Sequence, residues 1–323
     1  MTAQNRRILA FWANKSTLVL PLLLLAGMTV SCNGKNPLEL LEDPQSNIAE
    51  SSTAAVGSIA TDSEGGSISA TSIASKAKSS SVQAASNQIM SICSYAAARD
   101  ACVGTAMTVV WDNCEMSTAS GINLMLSSGW TDTYDSATTC TQAQGGGSLS
   151  TTGQTLTRTS SSFVITLLAG ATVTTDTNAQ TTTYLNQTIP GTGITLSVGA
   201  SSKTITINGV HQVLRGPEGR VWFDHSLTSG PMTVTGTRAG GNRVINGEVT
   251  IYHNTEMYEA VSTLNNVTWG NSTCCFPTSG TLTSAFSGSI TGNSTMTYTA
   301  TCGTASFTDT SGTTSSVSLS ICE

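Results

Sequence analysis

The chain has three histidines, His211, His225 and His253, all within residues 203–253. With Asp224 they are the side chains best suited to acid–base or metal chemistry. Imidazole titrates near neutrality and ligates metals, and a carboxylate beside it sets its charge and orientation. Strict alternation places His211 with Ile205, Ile207 and Val213, His225 with Val221 and Phe223, and His253 with Ile245, Val249 and Ile251. Arg215-Gly216-Pro217-Glu218-Gly219-Arg220 reads as a turn joining two of these strands. If Leu214 pairs with Val221, His211 faces Asp224 and a dyad forms. A slip of one residue brings His211 opposite His225, half of a two-histidine metal site. The plain alternative is three satisfied core or rim histidines. The chain has no Gly-x-Ser-x-Gly, His-Glu-x-x-His or Walker pattern, so no hydrolase or NTPase template is met and neither a cofactor nor a catalytic set is expected.

A second feature is charge. The stretch Gly145–Arg243 carries Arg158, Lys203, Arg215, Arg220, Arg238 and Arg243 against Asp176, Glu218 and Asp224. Arg215, Arg220, Arg238 and Arg243 are a candidate patch for anionic glycan or lipid headgroups; the competing reading is ordinary solvated strand faces. The whole chain has a net charge of −6, which argues against nucleic acid, because phosphate binding needs a cationic footprint.

These residues need strands to position them. Charged residues are only 10% of the 323-residue chain, against about 25% in an average soluble domain. Threonine supplies about one residue in six, and β-branched residues suit pleated, half-buried surfaces. From Thr105 onward short alternating runs stand between Gly, Asn and Ser turns: Phe163–Leu168, Ile194–Val198, Thr204–Leu214, Val221–Ser226, Met232–Thr237, Val244–His253, Leu282–Phe286 and Val317–Ile321. The expected fold class is all-β and antiparallel, with many short strands in a sandwich, open barrel or curved sheet. Val82, Ala85, Ile89, Ile92 and Ala96 form a helical stripe, so one short helix over 81–98 is expected to pack on a β body spanning 99–323. Gly145-Gly146-Gly147 reads as a turn or linker. A weak repeat relates 110–140 to 268–302: Trp111 and Cys114 lead to two Ser-Gly pairs and Cys140, as Trp269 and Cys274-Cys275 lead to two Ser-Gly pairs and Cys302.

At the other end, Arg6, Arg7 and Lys15 precede an apolar run from Leu18 to Val30. That run is shorter than the about 20 residues a spanning helix needs. A charged start, a short apolar core and small residues mark residues 1–31 as a secretory signal. Residues 32–80 are rich in Ser, Ala, Gly and Asn and hold no aromatic, which reads as a flexible tether with a reach on the order of 35–40 Å. Export also explains the cysteines. Apart from Cys32 there are eight: Cys93, Cys102, Cys114, Cys140, Cys274, Cys275, Cys302 and Cys322. An even set in an oxidising compartment implies four disulfides. The repeat favours Cys114–Cys140 and one of the vicinal pair with Cys302, whereas a hairpin near Gly312 would put Cys302 opposite Cys322.

Thr29-Val30-Ser31-Cys32 resembles the lipobox of bacterial lipoproteins. The resemblance implies that Cys32 is diacylated and becomes the mature N-terminus, so that acyl chains rather than a spanning segment hold the protein to a membrane. Asn33 in the second position implies the outer membrane of a diderm cell envelope. Together with the Gly209-Val210-His211 to Asp224 block, Tyr252-His253-Asn254, Cys274-Cys275-Phe276-Pro277-Thr278-Ser279-Gly280 and Cys302-Gly303-Thr304-Ala305, it resembles a group of uncharacterised bacterial lipoproteins. That group implies localisation and a β-rich body, not catalytic roles. The expected function is therefore a membrane-anchored, non-enzymatic binding or structural module with an envelope glycan, lipid or protein as partner. A lipid or glycan carrier, or a His/Asp enzyme, is the alternative.

Overall fold

A computed structural model of the chain describes residues 97–99, 101–117, 123–144, 149–160, 163–167, 172–178, 180–181, 188–189, 191–215, 219, 221–237, 240–270, 274 and 276–319, with Ala49. The expected signal peptide, Cys32, the tether, Gly145–Gly147 and most of the expected 81–98 helix lie outside these residues. Ala97 and Ala98, the end of that helix span, belong instead to a strand.

The elements run β1 (Ala97–Arg99), β2 (Ala106–Ser117), β3 (Asn123–Tyr134), α1 (Ala137–Gln144), β4 (Thr155–Thr159), β5 (Phe163–Leu167), β6 (Thr172–Asp176), β7 (Gln180–Thr181) and β8 (Thr188–Ile189). They continue with β9 (Ile194–Val198), β10 (Ser202–Ile207), β11 (Val210–Arg215), β12 (Val221–Ser229), β13 (Met232–Thr235), β14 (Arg243–His253) and β15 (Tyr258–Trp269). The last four are β16 (Ser279–Gly288), β17 (Gly292–Tyr298), β18 (Thr304–Thr308) and β19 (Thr314–Ser318). All but the β7–β8 hairpin join one 17-stranded antiparallel sheet. The protein is all-β with one short helix, and the sheet is open: among the described strands β1 and β19 pair on one side only. It is one sheet rather than a sandwich of two.

The topology is a meander whose middle strands are interrupted. β10 and β11 make one arm of a long hairpin, and β12 and β13 make the other. Ile205 pairs with Met232 and Val210 with Leu227, so the same register holds on both sides of the interruption. The interruption falls at Asn208-Gly209 on one arm and Gly230-Pro231 on the other. Pro231 has no N–H to give a ladder, and Gly209 adopts φ 110°, a conformation costly to other residues. The displaced Ile207 N–H donates to Ser229 Oγ at 2.8 Å. In the same way β4 and β5 lie end to end along β3.

Alternation follows the pairing. In β15 Tyr258, Ala260, Ser262 and Leu264 are buried while Thr263 and Asn265 are exposed, and in β16 Leu282, Ser284 and Phe286 are buried while Thr283 and Ala285 are exposed. Aligned registers stack the buried residues in rows such as Tyr134–Leu156–Leu196–Ile205–Met232. Each fully buried aliphatic side chain in such a row stabilises the fold by about 1.5–3 kcal/mol. Gly247, at φ 140°, leaves its place on this face to Met232, whose Cγ would stand 2.7 Å from an added Cβ.

Charge is also buried here. Asp132 and Arg158 are opposed on β3 and β4. Arg158 donates Nε–H and Nη2–H to the two Asp132 oxygens, each at 2.7 Å. Its guanidinium lies 4.2 Å from the Trp130 ring centre, and Arg243 lies 4.0 Å from that of Trp269.

Among the described residues two disulfides form, Cys102–Cys140 and Cys274–Cys302. The second settles which vicinal cysteine pairs with Cys302 and removes Cys322 as its partner. The first corrects the expected Cys114–Cys140 bond. Cys140 lies in α1, capped by the Ser136 hydroxyl accepting the Thr139 N–H, whereas Cys114 lies opposite Leu126, well back along β3 from that helix. The two halves of the expected repeat therefore fold differently: Cys140 is helical and Cys302 sits in a turn between strands. Cys93, Cys275 and Cys322 lie outside the described residues.

Candidate functional site

The interruption at Asn208-Gly209 decides which way the histidines point. It reverses alternation along the arm, so Ile205 and Ile207 are buried on the inner face while His211 projects from the outer one. This corrects the expectation that His211 shares their side. The register differs too: Leu214 pairs with Phe223, Arg215 with Val221, and His211 with Ser226.

Even so, His211 and Asp224 meet, diagonally. His211 Nε2 lies 2.8 Å from Asp224 Oδ1, and Nδ1 lies 3.6 Å from Asp176 Oδ2 on the neighbouring β6. Asn254, just beyond β14, donates Nδ2–H to Asp224 Oδ1 at 2.6 Å and to Ser226 Oγ at 3.3 Å. Burial opposes the charge on His211, but the hydrogen bond and charge of Asp224, joined by the charge of Asp176, outweigh it and raise the imidazole pKa. Burial likewise opposes ionisation of Asp224, but the hydrogen bonds from His211 and Asn254 hold its pKa below the usual carboxylate value. His211 thus lies between two carboxylates that favour its protonated form, with both ring nitrogens facing an acceptor.

The inner face carries a different arrangement. Gln212, His225, His253 and Tyr258 occupy one row across β11, β12, β14 and β15. The His225 and His253 ring centres are 4.1 Å apart, edge to face, and His253 lies 4.7 Å from the Tyr258 ring. His225 is 3% and His253 0% exposed. Burial lowers both pKa values, His225 well below its ordinary value and His253 to about 4. Both are neutral at pH 7. His253 Nδ1 accepts the Glu256 N–H at 3.2 Å, which assigns the neutral ring's proton to Nε2. Gln212 Oε1, His253 Nε2 and the Tyr258 hydroxyl have no hydrogen-bond partner among the described residues.

The expected residues thus divide between two faces. His211 and Asp224 form the dyad outside, and His225 and His253 pair with each other inside, so the four do not form one site. Among the described residues no group of three or more His, Cys, Asp or Glu is placed to hold a metal. The expected arginine patch does not assemble as read: Arg215 is exposed, but Arg243 is fully buried against Trp269 because it falls on the inner face. Arg220 and Arg238 lie outside the described residues. Sequence reasoning missed Asp176, Asn254, Gln212 and Tyr258, which reach the histidines only through pairing. The signal that could have shown the reversal is the Asn208-Gly209 pair opposite Gly230-Pro231.

No protein-family model, curated protein or solved structure matches the chain. Among the described residues no helix is long and apolar enough to cross a membrane.

Proposed function

We propose that this protein is a lipid-anchored component of a bacterial cell envelope, held at the outer membrane through acylated Cys32, and that its β body is a non-enzymatic binding or structural module. The observation that carries the non-enzymatic reading is the engagement of the histidines. Both nitrogens of His211 face carboxylates, so neither is directed at a nucleophile. His225 and His253 are buried against each other. The inner face supports a module over a carrier with a preformed cavity, because Ile205, Ile245, His253, Ala260, Trp269 and Leu282 have no accessible surface. The exposed partner surface is then the outer face of β15 and β16, with Thr263, Asn265, Thr283 and Ala285, and an envelope glycan, lipid or protein is the class of partner.

The test is intact mass and fractionation of the exported protein. The expected result is a start at Cys32 with acyl chains, recovery with outer membranes, and an unprocessed precursor from Cys32→Ser. A mature start elsewhere, or a soluble unacylated product, overturns the anchor. Turnover of envelope ester or glycan substrates that is lost in His211→Ala overturns the non-enzymatic reading.

A further inference from the structure

We propose that β19 is an interaction edge whose partner is the β19 of a second copy of this chain, joined antiparallel about a two-fold axis at Ser316. Among the described strands β19 pairs with β18 alone. An edge of this kind presents backbone N–H and C=O groups that template a further strand. Most exposed edges carry a device against such pairing: a charge, a proline, a bulge or a very short strand. β1, at the far edge, is three residues long and includes Arg99. β19 has no such device. Thr314–Ser318 holds neither charge nor proline, and its five rungs with β18 run without a register shift. Thr314, Ser315, Ser316 and Ser318 are all exposed.

The hydrogen-bond phase of the hairpin fixes the register. The Asp309 N–H donates to the Thr313 carbonyl at 3.0 Å, and the Leu319 N–H donates to the Gly303 carbonyl at 2.8 Å. Antiparallel ladders bond at every second rung, so Ser315 and Val317 supply the bonds to β18 in between. Thr314, Ser316 and Ser318 therefore turn their N–H and C=O groups to the open edge. A second β19 satisfies all of them when Thr314 meets Ser318 of the second copy, Ser316 meets Ser316, and Ser318 meets Thr314, each pair exchanging both bonds. A slip of two residues carries one end of the strand past its partner. The side chains agree with this register. Thr314, Ser316 and Ser318 share one face, where the Thr308 and Thr314 hydroxyls already pair across β18 and β19 at 2.9 Å. The new rungs repeat that hydroxyl pairing. Asp309 is the one charged residue within Thr304–Ser318, and antiparallel pairing keeps its two copies at opposite ends of the joint. Because both copies use the same edge, the contact is isologous and closes at two chains. So short a joint makes a weak dimer, with a dissociation constant of about 1–100 μM.

The experiment is sedimentation of the full-length protein in detergent at concentrations up to about 100 μM. A reversible monomer–dimer equilibrium is expected. Ser316→Lys sets two ammonium groups together at the axis and is expected to weaken the dimer at least about tenfold. Ser316→Pro removes an N–H that serves only the second copy and is expected to do the same; if it does not fold, the lysine variant decides. Thr263→Lys, on the exposed outer face of β15, is expected to leave the equilibrium unchanged. Residue-resolved amide exchange supplies an independent reading. Thr314, Ser316 and Ser318 are expected to gain at least about fivefold protection between dilute and concentrated protein, while Ser315 and Val317 stay as they were. A monomer throughout the range, assemblies larger than two chains, equal weakening by Thr263→Lys, a dimer unmoved by Ser316→Lys, or protection without this alternation would overturn the joint.

Discussion

Asp224 and His225 are adjacent in the chain, yet Asp224 binds His211 on the outer face while His225 stacks on His253 on the inner one. A single strand thus carries a histidine–carboxylate cluster on one side and a neutral imidazole pair on the other. The two titrate in opposite senses, which bears directly on stability.

Global stability is expected to peak near neutral pH. The unfolded chain protonates His225 and His253 near about pH 6.5, while the fold keeps His253 neutral down to about 4. Their contribution is therefore lost as pH falls through that window. His211 is opposite: its raised pKa contributes stability that is complete below about 6.5 and is lost as pH rises through the folded value. Asp224, with its lowered pKa, contributes above its ordinary value of 3.8 and loses that contribution as pH falls through the folded value. Urea midpoints measured from pH 4 to 9 check this, and His211→Asn should flatten the alkaline limb.

Asp132→Ala should destabilise the protein by about 3–5 kcal/mol, because it leaves the Arg158 guanidinium buried without its carboxylate. Arg158 is 8% exposed and Asp132 2%. The double change Asp132→Leu/Arg158→Met should recover most of the loss by removing both charges. Denaturant unfolding of the three variants decides it: a single variant no worse than the double would show that the charges are solvated.

Gly247→Ala should cost about 2–4 kcal/mol from backbone strain at a positive φ combined with overpacking. Met232→Ala should not rescue it, because the added Cβ also meets Met232 Cα at 2.8 Å. Thermal unfolding of the single and double variants reads this.

Peptide mapping without reductant should recover Cys102 joined to Cys140 and Cys274 joined to Cys302. Cys102→Ser and Cys140→Ser should each lower stability by about 2–4 kcal/mol, and the double variant by no more than either. A Cys114–Cys140 peptide would contradict the helix position of Cys140.

The sequence by itself determined the class of this protein. Period-two alternation and Gly, Asn and Ser turns are local signals, so the antiparallel all-β body was legible, as were most strands from Phe163 to Phe286 and the turn that returns Arg215 to Val221. That one hairpin carries both His211 and Asp224 was legible too, but their contact was only one of the readings left open, and the register adopted, with His211 opposite Ser226, is neither of the two considered. Tertiary structure alone decided the rest. Whether a side chain faces in or out depends on every interruption upstream of it, and the Asn208-Gly209 break turned His211 outward where unbroken alternation would bury it. Asp176, Asn254 and Tyr258 meet the histidines through pairing between strands remote in the chain, for which no local spacing is a guide. The helical place of Cys140 has no local signal, because Ala137–Gln144 has neither the length nor the apolar stripe that marks a helix. Arg243 looked like surface charge until its rung placed it opposite Trp269, since alternation sets a face but only the assembled sheet says what covers it.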